Sequence, residues 1–179
     1  GSSAIRPEPT ESFRHRESTS TTVFFGPKAE HLSDLESGAI IDVEVRPGNA
    51  ADNDGQMAQR VLAAVGLLVE VAPDANLEKL GATVVADEGY FALEQIAELQ
   101  RCGLRTVIAD PQAGRRRADL PKEARQTLRR ARAATSCRSG KALLRKRGEH
   151  LERGFAHILD QGGMRRATLR GCENLGKRY

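Results

Sequence analysis

The sequence predicts a layered α/β domain with a basic helical C-terminal part. Short runs of β-branched and aliphatic residues alternate with stretches of helical periodicity, as elements do in layered α/β folds. The breaks between them fall at Gly, Pro and Asp clusters, the usual turn formers. Charge is also divided along the chain: 21 of the 28 Lys and Arg residues, but only 7 of the 24 Asp and Glu residues, lie from Arg101 onward. With 179 residues the chain is long enough for one domain with a real core. Aromatic residues make up 4% and Trp is absent, so that core must be built from Val, Leu, Ile and Ala.

Residues 1–22 are rich in Ser, Thr, Pro and charge and read as a polar, poorly ordered lead-in; residues 23–179 read as the folded domain. Val23-Phe24-Phe25 opens an apolar stretch that ends near Leu32, Asp34 to Gly38 supplies turn chemistry, and Ala39 to Val45 ends in alternation. Two such runs around a Gly-containing turn predict an antiparallel hairpin. Pro47-Gly48-Asn49 breaks the second strand, and Asp52 or Asp54 can cap the helix that follows. From Gln56 to Val71, Met57, Val61, Leu62, Val65 and Leu68 recur at helical spacing, and Pro73 stops the pattern. Ala82-Thr83-Val84-Val85-Ala86 has the pattern of a buried strand, closed by Asp87-Glu88-Gly89-Tyr90. A helix is predicted over Phe91–Leu99, with Cys102-Gly103 as its stop, and a strand over Leu104–Ala109, ended by Asp110-Pro111.

A basic loop, Gly114 to Leu120, leads into an Arg-rich helical run from Lys122 to Ala134. A longer helix is predicted from Gly140 to Leu159, with Leu143, Leu144, Leu151, Phe155 and Ile158 facing inward. Gly162-Gly163 breaks it, and Met164 to Tyr179 reads as a turn and a last helix. In such alternating folds a functional group is expected at the C-terminal end of a central strand, which is where Asp87 stands.

Several function classes are excluded or made remote. No apolar run approaches the ~20 residues of a membrane helix, and the polar start lacks the core of a signal peptide, so the expected location is the cytoplasm. Cys102, Cys137 and Cys172 are far apart and form no Cys-x-x-Cys pair, which argues against a zinc knuckle and against a disulfide framework. His15, His31, His150 and His157 form no ligand cluster at helical spacing. The basic half points to nucleic acid, because Arg binds phosphate oxygens through a two-pronged fork. Arg115, Arg116 and Arg117 and the helix holding Arg129 and Arg130 are the candidate backbone contacts, and such contacts position without reading sequence. The scarcity of aromatics disfavours single-strand stacking, so the expected partner is duplex DNA.

The segment Ala86-Asp87-Glu88-Gly89-Tyr90 resembles the A-D-x-G-Y motif of DDE-type insertion-sequence transposases, and Glu152-Arg153-Gly154-Phe155-Ala156-His157 resembles their E-R-x-F-A-H segment. Gly162-Gly163-Met164-Arg165-Arg166, Leu169-Arg170-Gly171, Glu173-Asn174, Lys28-Ala29-Glu30-His31, Asp34 and Asp52 match in the same order, so the resemblance covers roughly everything after residue 22. It implies a ribonuclease-H-like mixed sheet flanked by helices, and catalysis of DNA strand cleavage and strand transfer with two Mg²⁺ or Mn²⁺ ions. It also implies that Asp87 and Glu152 are catalytic metal ligands, that Arg153, Arg165 and Arg166 lie toward DNA, and that transposon ends, target DNA and a second copy of the chain are partners. Hard cations held by carboxylates suit this chemistry, which must activate an attacking oxygen and stabilise a leaving one.

The family's first carboxylate sits before the hairpin, where this chain has Pro7-Glu8-Pro9; Glu8 is the candidate, Glu11 a second, and loss of that ligand a third reading. A missing N-terminal DNA-binding region and a missing apolar helix after Tyr179 make the chain look incomplete at both ends. These departures carry the alternative: a catalytically inactive remnant, unable to cut, that binds DNA non-specifically through its basic C-terminal half.

Overall fold

The computed structural model describes residues 27–53, 56–71, 82–163, 169 and 171–177. Strands β1 (Lys28–Ser33) and β2 (Ile40–Arg46) form the expected antiparallel hairpin, with Lys28 opposite Arg46 and His31 opposite Val43. The Asp34 side chain shapes the turn, accepting hydrogen bonds from the Ser37 amide (2.7 Å) and hydroxyl (2.6 Å). Gly38 takes the left-handed backbone (φ 74°) that closes it. The inward side of the hairpin is charged. Glu30 is buried among Lys28 (3.2 Å), Arg46 (3.3 Å) and Arg60 (3.3 Å), and Arg60 reaches on to Asp42 (2.6 Å) and Glu44 (2.9 Å). Arg60 belongs to helix α1 (Met57–Val71), so these ion pairs tie the helix to the hairpin. A buried carboxylate is tolerable because its charge is matched on several sides.

Strand β3 (Thr83–Ala86), helix α2 (Leu93–Arg101) and strand β4 (Arg105–Ile108) form a parallel β-α-β unit, with Val84 beside Thr106 and Ala86 beside Ile108. Parallel neighbours need a crossover of this length, and the amphipathic α2 supplies it. The turn from α2 into β4 uses Gly103 at φ 80°. Ala58, Val61, Leu99 and Leu104 form one apolar cluster; Ile96, Ile108 and Ala131 form a second; Met57 packs against both. Each large side chain buried this way contributes about 1.5–3 kcal/mol. Gln95 is a buried polar exception with a purpose: its oxygen accepts from the Ala58 amide (3.0 Å), satisfying a free N–H in the first turn of α1.

Helices α3 (Lys122–Ser136) and α4 (Arg138–Asp160) are separated by Cys137 alone, a tighter junction than the five-residue gap expected. Two features make it possible. Cys137 is extended and its sulfur accepts from the Gly140 amide (3.3 Å), capping α4. Gly140 lets the two helices meet, because a Cβ there would stand 1.8 Å from the Ala134 carbonyl oxygen. Helix α4 packs on β3 and β4, and the short helix α5 (Cys172–Gly176) packs on β2.

The chain is therefore mixed α/β, as expected. The described strands differ from a single mixed sheet: they form two separate two-stranded sheets, β1-β2 and β3-β4. The segment before Pro27, including the polar lead-in and the first apolar residues, lies outside the described residues. Among the described residues no helix is long and apolar enough to cross a membrane.

Candidate active site and nucleic-acid interface

Asp87 follows the last residue of β3, at the C-terminal end of the parallel pair. Its carboxylate accepts from the Glu88 amide (3.0 Å) and so caps the short 3-10 turn Glu88–Tyr90. That bond uses one oxygen and leaves the group 66% exposed. Helix α4 reaches this strand end through Arg147, whose Nη1 lies 4.0 Å from Asp87 Oδ1. Further along α4, Phe155 stacks on His31 of the hairpin with ring centroids 4.5 Å apart. The stretch from Arg147 to Phe155 thus spans the gap between the Asp87 turn and the hairpin, and Glu152 lies inside it. Glu152 is exposed and stands about 7.5 Å along the axis and about 140° round it from Arg147.

The surroundings of the turn are strongly charged. Lys28 pairs with Asp52 and donates to the Ala50 carbonyl (2.7 Å). Asp52 in turn faces Gly89, where a Cβ would be only 2.7 Å from its Oδ2. Burial pushes the Tyr90 hydroxyl up to about 12, and the nearby carboxylates of Glu30 and Asp52 push the same way. Burial opposes the charge on Lys28, but hydrogen bonds to Asp52 and Glu30 outweigh it and hold its pKa above the ordinary value. His31 is shifted down, first by burial and then by Arg60.

Asp87 and Glu152 are thus carried on elements that pack together, and both present exposed carboxylates. Such oxygen donors suit Mg²⁺ or Mn²⁺ better than a soft metal. Among the described residues no three His, Cys, Asp or Glu side chains converge as a metal-binding group. Glu8 and Glu11 lie outside those residues, as do Arg165 and Arg166.

The candidate phosphate contacts divide by environment. Arg115, Arg116, Arg129, Arg130 and Arg153 are exposed; Arg117 is half-buried and donates to Gln112 Oε1 (3.3 Å). Arg132, in the same basic helix, is spent internally. It binds the buried Asp110 carboxylate (2.6 Å) and the carbonyls of Gln112 (2.9 Å) and Arg115 (3.0 Å), holding the basic loop in place. Arg130 lines a groove of about 260 Å³ together with Arg105, Gln100 and Thr106. Sequence reasoning missed Arg105, because it opens a short apolar strand and stands apart from the Arg-rich runs. Lys28 and Asp52 were visible only as matched positions; nothing in the spacing shows that they pair.

A family model described as a transposase DDE domain matches residues 5–175. No curated protein and no solved structure matches the chain.

Proposed function

Since the chain belongs to the transposase DDE domain family, we propose that it is the catalytic domain of a DNA transposase, with a ribonuclease-H-like arrangement and the reaction of DNA strand cleavage and strand transfer. The observation that carries this reading is Asp87: an exposed carboxylate at the C-terminal end of a parallel strand pair, with the helix that bears Glu152 packed on the same pair. Asp87, Glu152 and Glu8 would hold two Mg²⁺ or Mn²⁺ ions. When bound, these cations supply a polarised oxygen nucleophile and stabilise the leaving oxygen.

The remaining work falls to the chain's own side chains. The Glu88 amide fixes the Asp87 carboxylate in direction while leaving one oxygen free. Arg147 offsets the negative charge of Asp87 when no cation is present. Exposed Arg115, Arg116, Arg129, Arg130 and Arg153 offer duplex DNA a basic surface that binds backbone phosphate irrespective of sequence.

The test is a strand-cleavage assay on duplex DNA carrying the ends of the element, with Mg²⁺ or Mn²⁺, beside Asp87→Ala and Glu152→Ala. Cutting that is lost in both variants supports the catalytic reading. The alternative, an inactive domain that only binds DNA, predicts no cutting but salt-sensitive duplex binding that both variants retain. The free face of Asp87 favours the first.

A further inference from the structure

We propose that Asp52 is a positioning residue for Asp87, acting through the backbone of Gly89. This rests on the reading of Asp87 as a metal-binding carboxylate. Asp52 lies in the loop between β2 and α1, distant in sequence from the Asp87 turn, yet the two are in contact. The missing side chain at Gly89 makes room for the Asp52 carboxylate: a Cβ there would fall 2.7 Å from Oδ2 and 3.5 Å from Asp52 Cβ and Cγ. Asp52 is itself held. Lys28 of β1 pairs with its Oδ1, and the same ammonium donates to the Ala50 carbonyl (2.7 Å), so the loop cannot swing without breaking both contacts.

Beyond the Asp87 cap and the packing of Phe91 against Ile96, Ile108 and Ala131, the turn receiving this contact has little to hold it. Its internal bonds run from the Tyr90 amide to the Asp87 carbonyl (3.1 Å) and from the Phe91 amide to the Glu88 carbonyl (3.0 Å), and Glu88 and Gly89 are exposed. A short exposed 3-10 turn is a weak structure by itself. Lys28 also pairs with the buried Glu30 (3.2 Å), which joins the network anchored on Arg46 and Arg60. Rigidity therefore passes from the hairpin through Lys28 and Asp52 to Gly89, two residues from the carboxylate that must be held still. Groups that orient a metal-binding side chain without touching the metal typically change affinity or activity by about 10- to 100-fold when removed.

The experiment uses the full chain with Asp52→Asn and Gly89→Ala, and three measurements. Amide hydrogen exchange should quicken at Tyr90 and Phe91 by at least about ten-fold in both variants, with β3 and α2 unchanged. Mn²⁺ binding, taken as the part lost in Asp87→Ala, should weaken by about 10- to 100-fold. The midpoint of thermal unfolding should stay within a few degrees of the parent. Unchanged exchange at Tyr90 and Phe91 overturns the proposal, as does a loss of Mn²⁺ affinity that only follows a general loss of stability. If the parent chain binds no Mn²⁺ through Asp87, the metal-ligand reading fails on that count. The exchange measurement then still decides whether Asp52 holds the turn.

Discussion

Arg147 Nη1 lies 4.0 Å from Asp87 Oδ1, so a cation of the protein's own already faces the carboxylate expected to bind a metal. The Arg147 side chain is 20% exposed and that of Asp87 66%, which makes this a screened pair worth about 0.2–1 kcal/mol. Arg147→Met keeps the apolar stem and removes the charge. Mn²⁺ binding at Asp87 should tighten by roughly 1.4- to five-fold, the same energy expressed as affinity. Thermal stability should hardly change. Weaker Mn²⁺ binding would mean that Arg147 supports the site rather than competing with the ion.

Gly140 gives a sharper stability test, because two effects oppose each other there. It lies in the first turn of α4, where Ala is the better helix former by as much as about 1 kcal/mol. A Cβ would stand 1.8 Å from the Ala134 oxygen and 2.9 Å from its carbonyl carbon, both backbone atoms that cannot rotate away. Overpacking of this kind costs about 1–3 kcal/mol, so the clash wins. Urea unfolding should find Gly140→Ala less stable; a gain would show that the α3–α4 corner opens freely.

These two sites mark where sequence reasoning reaches and where it stops. The strand ending at Ala86 and the Asp87 turn were legible because a short apolar run with adjacent β-branched valines and a D-x-G-Y turn are local signals. Helix α4 was legible from its apolar spacing, apart from its first two residues and its last. The Cys137 corner was not, since it depends on the approach of two helix ends. Arg132 looked like one more arginine in a basic run; only the fold brings Asp110 beneath it. The Lys28–Asp52–Gly89 contacts join three segments, and no periodicity records such a meeting.

Alkaline pH should loosen the same region. Tyr90 is pushed up to about 12, by burial first and then by Glu30 and Asp52, against an ordinary tyrosine value of about 10. Lys28 is also held above its ordinary value. In the fold both groups keep protons that the unfolded chain has released. Their contribution is therefore complete below about pH 10 and is lost as pH rises toward about 12. Urea midpoints measured across that window should fall, and Tyr90→Phe should make the fall shallower. An equal slope in the variant would remove Tyr90 from the account.

The basic helix α3 should separate into arginines that bind DNA and one that holds the protein together. Arg129 and Arg130 are exposed and face no carboxylate among the described residues, whereas Arg132 is committed to Asp110, whose side chain is 2% exposed. Each phosphate neutralised adds about 0.9 to the slope of log affinity against log salt. Replacing Arg129 and Arg130 together by Ala should therefore flatten that slope by up to about 1.8 for duplex binding, whatever the sequence, and leave stability nearly unchanged. Arg132→Ala should do the reverse. It strands a buried carboxylate and frees the carbonyls of Gln112 and Arg115, which should cost about 3–5 kcal/mol in urea unfolding. Where the variant is still folded, its salt slope should match the parent's. Because net charge falls in both variants, a surface that bound DNA by overall charge alone would lose slope in proportion to the charges removed, Arg132 included. Equal loss per arginine would overturn the division; loss confined to Arg129 and Arg130 would assign the phosphate contacts to the outer face of α3.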